Sequence, residues 1–188
     1  MALTAAGVEQ ARRLAQRLRE IDFDAAYSSD LRRCMMTAAI ITEEAGLPLL
    51  AESGMRFRTD RRLREIDAGV WEMLSLEAVR WAFPEESARR ERDLVGYRFP
   101  GGESFVQLQQ RAIAAFHDII AQGGSNILVV AHRGVNRALL CHLLGRPLED
   151  LFSIRQDYGC VNLIRISTPT GGEPAGENLA AEVTTWES

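Results

Sequence analysis

One stretch constrains the fold of this chain most strongly: ILVVAHRGVNRALL, residues 127–140. Four apolar residues at its start indicate a short buried strand, and apolar residues at helical spacing indicate a helix from about Val135 to Leu144. A strand that passes almost directly into a helix is typical of a mostly parallel α/β sheet. His132, which lies between the two, is therefore expected at the carboxyl end of a strand, where open sheets of this kind bind ligands.

The rest of the chain repeats this alternation of helices and short apolar strands. The predicted helices are Ala5 to Glu20 after the N-cap Thr4, a second one from the cap Ser28-Ser29-Asp30 to about Ala45, and a third opened by Ser104 and running to about Ala121; the predicted strands are Phe23 to Tyr27, Leu49 to Phe57, Ile127 to Ala131, and a hairpin of Val161 to Ile166 with Ala181 to Trp186. The pattern predicts one domain over residues 1–188, with a mostly parallel central sheet, helices on both faces, and a helical and loop insertion at about 59–103.

Composition excludes several classes of protein. The net charge of −4 argues against a nucleic-acid binder, which needs a basic surface. No apolar run approaches the ~20 residues that cross a bilayer, and no basic segment followed by an apolar one opens the chain, so we expect a cytoplasmic protein without a membrane partner. Three cysteines without paired spacing indicate no disulfide framework, and three histidines without ligand-like spacing indicate no metal site.

Three short motifs have a chemical and a purely structural interpretation. His132 either satisfies backbone groups or, with Gly134 and the start of the next helix, forms an anion site. Arg32 and Arg33 fall in the first turn of a predicted helix, where cations oppose the helix dipole, so they are either surface residues or phosphate ligands. Glu65 lies in an arginine-rich loop as part of a solvated ion-pair network or as a proton donor.

These motifs, in this order and together with the blocks around them, resemble those of the histidine phosphatase superfamily, the phosphoglycerate mutase-like family. The similar blocks run from about Leu3 to Ile166 in the family's order: LTAAGVEQA, YSSDLRRCMMTA, LREIDAGVWE, PGGESF and ILVVAHRGVNRALLCHLLG. The resemblance implies a phosphoglycerate mutase-like fold and transfer of a phosphoryl group to a histidine nitrogen, without a cofactor. The implied partner is a small phosphorylated metabolite or inorganic phosphate, and a homodimer is left open.

The resemblance also implies a role for each matching residue. Arg33 matches the phosphate-binding arginine, Glu65 the general acid of the phosphatase branch, and His132 the histidine that stabilises charge on the phosphoryl group. Glu103 and Ser104 match a block that shapes the pocket and caps the next helix, and Ser104 is expected among the phosphate-binding residues. Arg133 stands where the family usually has glycine, and it either adds a phosphate contact or points outward.

The family's nucleophile lies in an Arg-His-Gly motif at the end of its first strand, and the 188 residues contain no such motif. The resemblance implies that this strand lies between the strands matching Ile127 to Ala131 and Val161 to Ile166, and its absence would leave two unpaired edges. We therefore expect a chain that is short at its N-terminus and inactive as written. A start codon assigned too late, an incomplete product and a natural loss of the strand stand as explanations.

The most favoured function is hydrolysis of phosphomonoesters. The segment from Glu65 to Glu103 is short for a mutase of the family, although mutase activity stays an alternative. The blocks around Ala68 to Glu72 and Val135 to Gly145 also resemble α-ribazole phosphatases. A non-catalytic phosphate-binding or scaffolding protein is the alternative from another class.

Overall fold

The computed structural model describes residues 1–44, 56–167 and 180–186. The helices are α1 (Ala5–Leu18), α2 (Arg32–Glu44), α3 (Leu76–Ala82), α4 (Pro84–Arg92), α5 (Phe105–Ala121) and α6 (Arg133–Leu143), and the strands are β1 (Ala25–Ser28), β2 (Arg56–Thr59), β3 (Ile127–Val130), β4 (Val161–Ser167) and β5 (Ala180–Trp186). Single turns of 3-10 helix cover Arg61–Leu63 and Gly69–Trp71, and a longer one covers Leu148–Ser153. The predicted α/β class is confirmed.

The parallel sheet has the strand order β2-β1-β3, with β1 in the centre. All four residues of β1 are buried, as expected for a strand with partners on both sides. Ser28, its last residue, lies opposite Thr59 of β2 and Val130 of β3. The three strands therefore end at one edge, which we call the carboxyl edge.

Strands β4 and β5 form the predicted antiparallel hairpin as a second sheet. Within the described residues β3 pairs only with β1, and β4 pairs only with β5. Leu128 of β3 and Val161 of β4 nevertheless pack against the same apolar cluster, and Ile127 of β3 and Val183 of β5 pack against the other one. The two sheets thus share both of their flanking cores while β3 and β4 each keep one unpaired edge.

Helix ends follow the caps that the sequence contains. The Thr4 hydroxyl accepts the Gly7 N–H at the start of α1, and Ser104 forms a reciprocal capping box with Gln107 at the start of α5. Helix α2 begins at Arg32, later than predicted, because sheet pairing continues past Ser28: the Ser29 N–H donates to the Val130 carbonyl at 3.0 Å. Part of the predicted strand Leu49 to Phe57 lies outside the described residues.

The insertion at 59–103 consists of α3, α4, turns of 3-10 helix and loops. An aromatic cluster fixes it to the domain: the Trp71 ring lies 5.6 Å from Tyr97 and 5.5 Å from Phe99, and Phe99 contacts Phe105 of α5. In the described ranges, none of the helices combines the length and the apolar character needed to cross a membrane.

Candidate active site

His132 lies at the carboxyl edge, as the N-cap residue of α6 directly after β3. The parallel pairing of β1 with β3 brings Ser29 to the same place, because Ser29 follows the last residue of β1. The His132 Nε2 atom lies 2.9 Å from the Ser29 hydroxyl oxygen, and the histidine is only 7 % exposed. The imidazole is therefore a buried polar group with a defined partner.

Arg33, in the first turn of α2, approaches the other ring nitrogen. Its Nε and Nη2 atoms lie 3.3 Å and 3.1 Å from His132 Nδ1. A guanidinium can only donate, so Nδ1 is the acceptor and the ring proton lies on Nε2, where it is donated to Ser29. The Cys34 sulfur, 3.4 Å from Nε2, completes the contacts that fix the ring.

The surroundings of His132 disfavour its charged form. Burial, and then the positive charges of Arg33 and Arg111, lower the pKa of His132 to about 4. The ring is therefore neutral near pH 7 in the free protein. An anion bound beside the ring would favour the imidazolium and raise the pKa of His132 again. A positive charge would then form next to the bound anion.

This lowered pKa predicts a specific pH dependence of stability. Below pH 6.5 the unfolded chain takes up a proton that the folded chain refuses until about pH 4. The free energy of unfolding should therefore fall by on the order of 3 kcal/mol as the pH drops through that window. Urea unfolding at several pH values should show this loss in the natural chain and lack it in His132→Gln. Equal pH dependence of the two proteins would contradict a neutral, buried His132.

Glu65 reaches the same edge from the loop after the first 3-10 turn. Its carboxylate accepts the Ile66 N–H at 2.9 Å and the Gly134 N–H at 3.2 Å. His132, the N-cap residue of α6, makes no side-chain cap, so Glu65 supplies the anion at this helix N-terminus. A Cβ atom at position 134 would collide with the Glu65 carboxylate, and only glycine permits this approach.

Gly134 and the start of α6 stay a predicted phosphate site, and in this structure the Gly134 N–H donates to Glu65. The charge that can attract phosphate comes from Arg33, which has no carboxylate partner within the described ranges. Other arginines nearby are paired: Arg64 binds both oxygens of Asp30 at 2.6 Å. That contact lowers the pKa of Asp30 and keeps its carboxylate ionised, so the positive charge of Arg64 is balanced by the negative charge of Asp30.

Two of the predicted site residues make other contacts. The Ser104 hydroxyl accepts the Gln107 N–H as the predicted cap of α5, and its contact with phosphate stays a prediction. Arg133 is exposed and lies over the ring of Tyr158, 4.6 Å from its centroid, which corresponds to the outward orientation. The structure thus brings together Arg33, Glu65, His132 and Gly134.

Sequence reasoning missed three residues at this site. Ser29 was predicted only as part of a helix cap, and no signal paired it with His132. Cys34 was counted only among cysteines without paired spacing. It is buried, and burial raises the pKa of its thiol to about 11, so it stays protonated while contacting the imidazole. Arg111 borders the buried face of α5, next to Ala112, and a charged residue there is a signal that could have been noticed.

Comparison with known proteins agrees with this geometry. The model of the histidine phosphatase superfamily (branch 1) matches residues 1–173. Phosphoserine phosphatase 1 of Hydrogenobacter thermophilus is 32 % identical over 161 residues, which are 85 % of this chain and 71 % of that protein. The crystal structure of the alpha-ribazole phosphatase from Shigella flexneri superposes with a TM-score of 0.77 at 29 % identity, covering 88 % of this chain and 78 % of that one.

Longer relatives match as well. A 6-phosphofructo-2-kinase/fructose-2,6-bisphosphatase of Gallus gallus is 33 % identical over 141 residues, which are 75 % of this chain and 26 % of that protein. The chain thus spans less than a third of the length of the bifunctional relatives it matches. The family match covers most of the residues, and the chain belongs to the histidine phosphatase superfamily, branch 1.

Proposed function

We propose that this chain provides the phosphate-binding and proton-donating groups of a phosphatase for small phosphorylated metabolites. The observation that carries the proposal is the cluster of Arg33, His132 and Ser29 at the carboxyl edge, with the Glu65 carboxylate beside it. The relatives named above as phosphatases support the reaction class.

Arg33 is the proposed ligand of the phosphoryl oxygens. Its guanidinium presents several N–H donors, and its present acceptor, the neutral Nδ1 of His132, is weaker than a phosphate oxygen. A bound phosphate would therefore take over these donors. His132, released from Arg33 and placed beside a dianion, would take up a proton and stabilise the charge that develops on the phosphoryl group.

Glu65 is the proposed general acid. When an ester oxygen leaves the phosphorus it needs a proton, and a carboxyl group within hydrogen-bond reach can give it. The two backbone N–H groups that hold the Glu65 carboxylate fix its position but leave its oxygens with further lone pairs. One of these lone pairs would take up a proton from solvent, and the carboxyl group would then give that proton to the leaving oxygen.

The histidine that accepts the phosphoryl group is the remaining part of the mechanism. His117 and His142 lie against each other, with ring centroids 6.3 Å apart. His142 belongs to the last turn of α6, about 15 Å along the helix from His132 at its start. We propose that the nucleophile comes instead from an Arg-His-Gly strand between β3 and β4. The edges of these two strands that pair with no strand in the described part of the chain support this position.

A phosphate-binding protein without turnover is the second candidate. It is favoured by the fact that His132 is the one histidine at the carboxyl edge among the described residues, with its Nδ1 engaged by Arg33. Binding of phosphate is common to both candidates, and turnover separates them. For location, we propose the cytoplasm, because three free thiols are typical of a reducing compartment.

Replacing Arg33 should weaken anion binding at least about tenfold, because a charge-assisted bidentate contact would be lost. The measurement is calorimetric titration with phosphate and with vanadate on the natural chain and on Arg33→Ala. Arg32→Ala is the matched control, since Arg32 is the exposed neighbour in the same helical turn and should leave the affinity nearly unchanged. Equal affinity of the two variants would contradict the assignment of Arg33.

A further inference from the structure

Glu65 lies on a part of the chain without regular secondary structure. The preceding 3-10 turn ends at Leu63, and the next begins at Gly69. Backbone groups in such a segment have no repeating hydrogen bonds to hold them, so the position of the Glu65 side chain depends on contacts from elsewhere. Those contacts come from Arg111, which projects from the middle of α5.

Arg111 binds three carbonyl groups of the Glu65 loop. Its Nη1 atom donates to the carbonyl oxygens of Arg62 at 2.5 Å and Arg64 at 2.7 Å, and its Nη2 atom donates to the carbonyl oxygen of Glu65 at 3.1 Å. The loop therefore wraps around one guanidinium, which replaces the hydrogen bonds that a helix or sheet would provide.

Glu103 holds the same guanidinium from the other side. Its carboxylate accepts from Arg111 Nε at 2.9 Å and from Nη2 at 2.5 Å, so all five N–H donors of the arginine are used. The Arg111 and Glu103 side chains are 21 % and 18 % exposed. Glu103 also accepts the Asp67 N–H at 3.0 Å, so the ion pair contacts the loop on both sides of Glu65.

The residues before Glu103 close the loop from outside. The Glu103 N–H donates to the Asp67 carbonyl at 3.0 Å, and the Val70 N–H donates to the Pro100 carbonyl at 2.9 Å. A Cβ atom on Gly102 would collide with the Asp67 carbonyl oxygen, so glycine is needed for this close approach of two backbones. The segment 100–103 therefore fixes Glu103 and the loop as one unit.

We infer that Arg111, paired with Glu103, is the positioning residue that holds the Glu65 carboxyl against the start of α6. The inference rests on the proposed function only for the role of Glu65, which is the proton donor in that proposal. Arg111 also acts on the charge state of the site, since its positive charge is among the causes that lower the pKa of His132. Substituting lysine keeps that charge and removes the planar, five-donor geometry.

The test compares the amide resonances of Gly134 and Ile66, whose N–H groups donate to Glu65. In the natural chain, Glu65→Gln should shift both signals, because a charged acceptor becomes a neutral one. With Arg111→Lys present, the same Glu65→Gln change should no longer shift the Gly134 signal. Arg80→Lys is the matched control, since Arg80 forms an exposed ion pair with Glu91 instead of binding the carbonyl groups of the loop, and it should preserve the full response.

A full Gly134 response in the Arg111→Lys background would overturn the inference. If Arg111→Lys does not fold, Glu103→Gln decides: it keeps the arginine but removes the opposing charge, and it should reduce the Gly134 response, whereas an undiminished response again overturns the inference. This result does not depend on phosphatase activity. If Glu65→Gln leaves phosphatase activity intact in the chain that bears the Arg-His-Gly strand, the proposed role of Glu65 as the proton donor fails. The positioning by Arg111 is then still decided by the amide resonances.

Discussion

Placing a strand that ends in Arg-His-Gly before residue 1 is expected to raise the rate of phosphomonoester hydrolysis by residues 1–188 at least about a thousandfold, since loss of a catalytic nucleophile elsewhere costs up to about a millionfold. In the proposed function, the residues at the carboxyl edge provide binding, charge stabilisation and a proton. They provide no second imidazole that faces His132. The covalent route through phosphohistidine therefore needs the added histidine.

The structure offers a specific place for this strand. Among the described residues β3 has an unpaired edge, and Val129 in that strand is 40 % exposed although it belongs to an apolar run. β4 likewise has an edge that pairs with no described strand, and Leu128 of β3 and Val161 of β4 pack against the same apolar cluster. A parallel partner of β3 would end at the carboxyl edge, so its terminal histidine would lie beside His132 and Arg33.

The assay is hydrolysis of a chromogenic aryl phosphate by residues 1–188 with and without the added strand. An extension that ends in Arg-Ala-Gly is the matched control, since it pairs with the sheet but lacks the nucleophile, and it should stay near the rate of residues 1–188 alone. If residues 1–188 alone hydrolyse the ester at a comparable rate and His132→Ala abolishes it, His132 is the nucleophile and the proposed division of roles is wrong.

The local features of this fold were readable in the sequence because their causes are local. Thr4 and Ser104 mark helix starts through bonds to amides three residues away, and the apolar run of Ile127 to Val130 marks a strand through its own composition. The start of α2 was misplaced because it depends on a bond between Ser29 and Val130, about a hundred residues apart. Residue-level patterns contain no information on such a pairing.

At the site, too, the sequence predicted local features but not the contacts between distant residues. Arg33, Glu65 and His132 were named from motifs, but the resemblance did not indicate what each side chain contacts. The Glu65 carboxylate occupies the helix N-terminus that was assigned to phosphate, and this depends on how the insertion loop folds back onto α6. Arg111 looked like an ordinary helix residue because the three carbonyls that it binds become neighbours only in the folded chain.

Replacing Glu65 with glutamine should slow hydrolysis by an amount that depends on the leaving group. In the chain that bears the Arg-His-Gly strand, Glu65→Gln should lower kcat for phenyl phosphate by about 10²–10⁴-fold, the usual contribution of a positioned general acid. For 2,4-dinitrophenyl phosphate the loss should be far smaller, because that phenolate leaves readily without a proton. Glutamine retains the shape, and its single carbonyl oxygen can replace one of the two carboxylate oxygens that accept the Ile66 and Gly134 N–H groups. The contacts of Arg111 with the loop carbonyls are unchanged, so the loop backbone should stay in place.

The comparison of the two esters separates proton donation from a general disturbance of the site. Asp67→Asn is the matched control, since Asp67 lies in the same loop and its carboxylate accepts the Gly69 N–H, but it does not contact α6 in the described residues. This variant should slow both esters to a similar, small extent. An equal loss for both esters in Glu65→Gln would mean that Glu65 acts through structure or charge alone. The proton for the leaving oxygen would then come from another group. His132, which is protonated beside the bound dianion in the proposed function, would be the first residue to substitute in a search for that group.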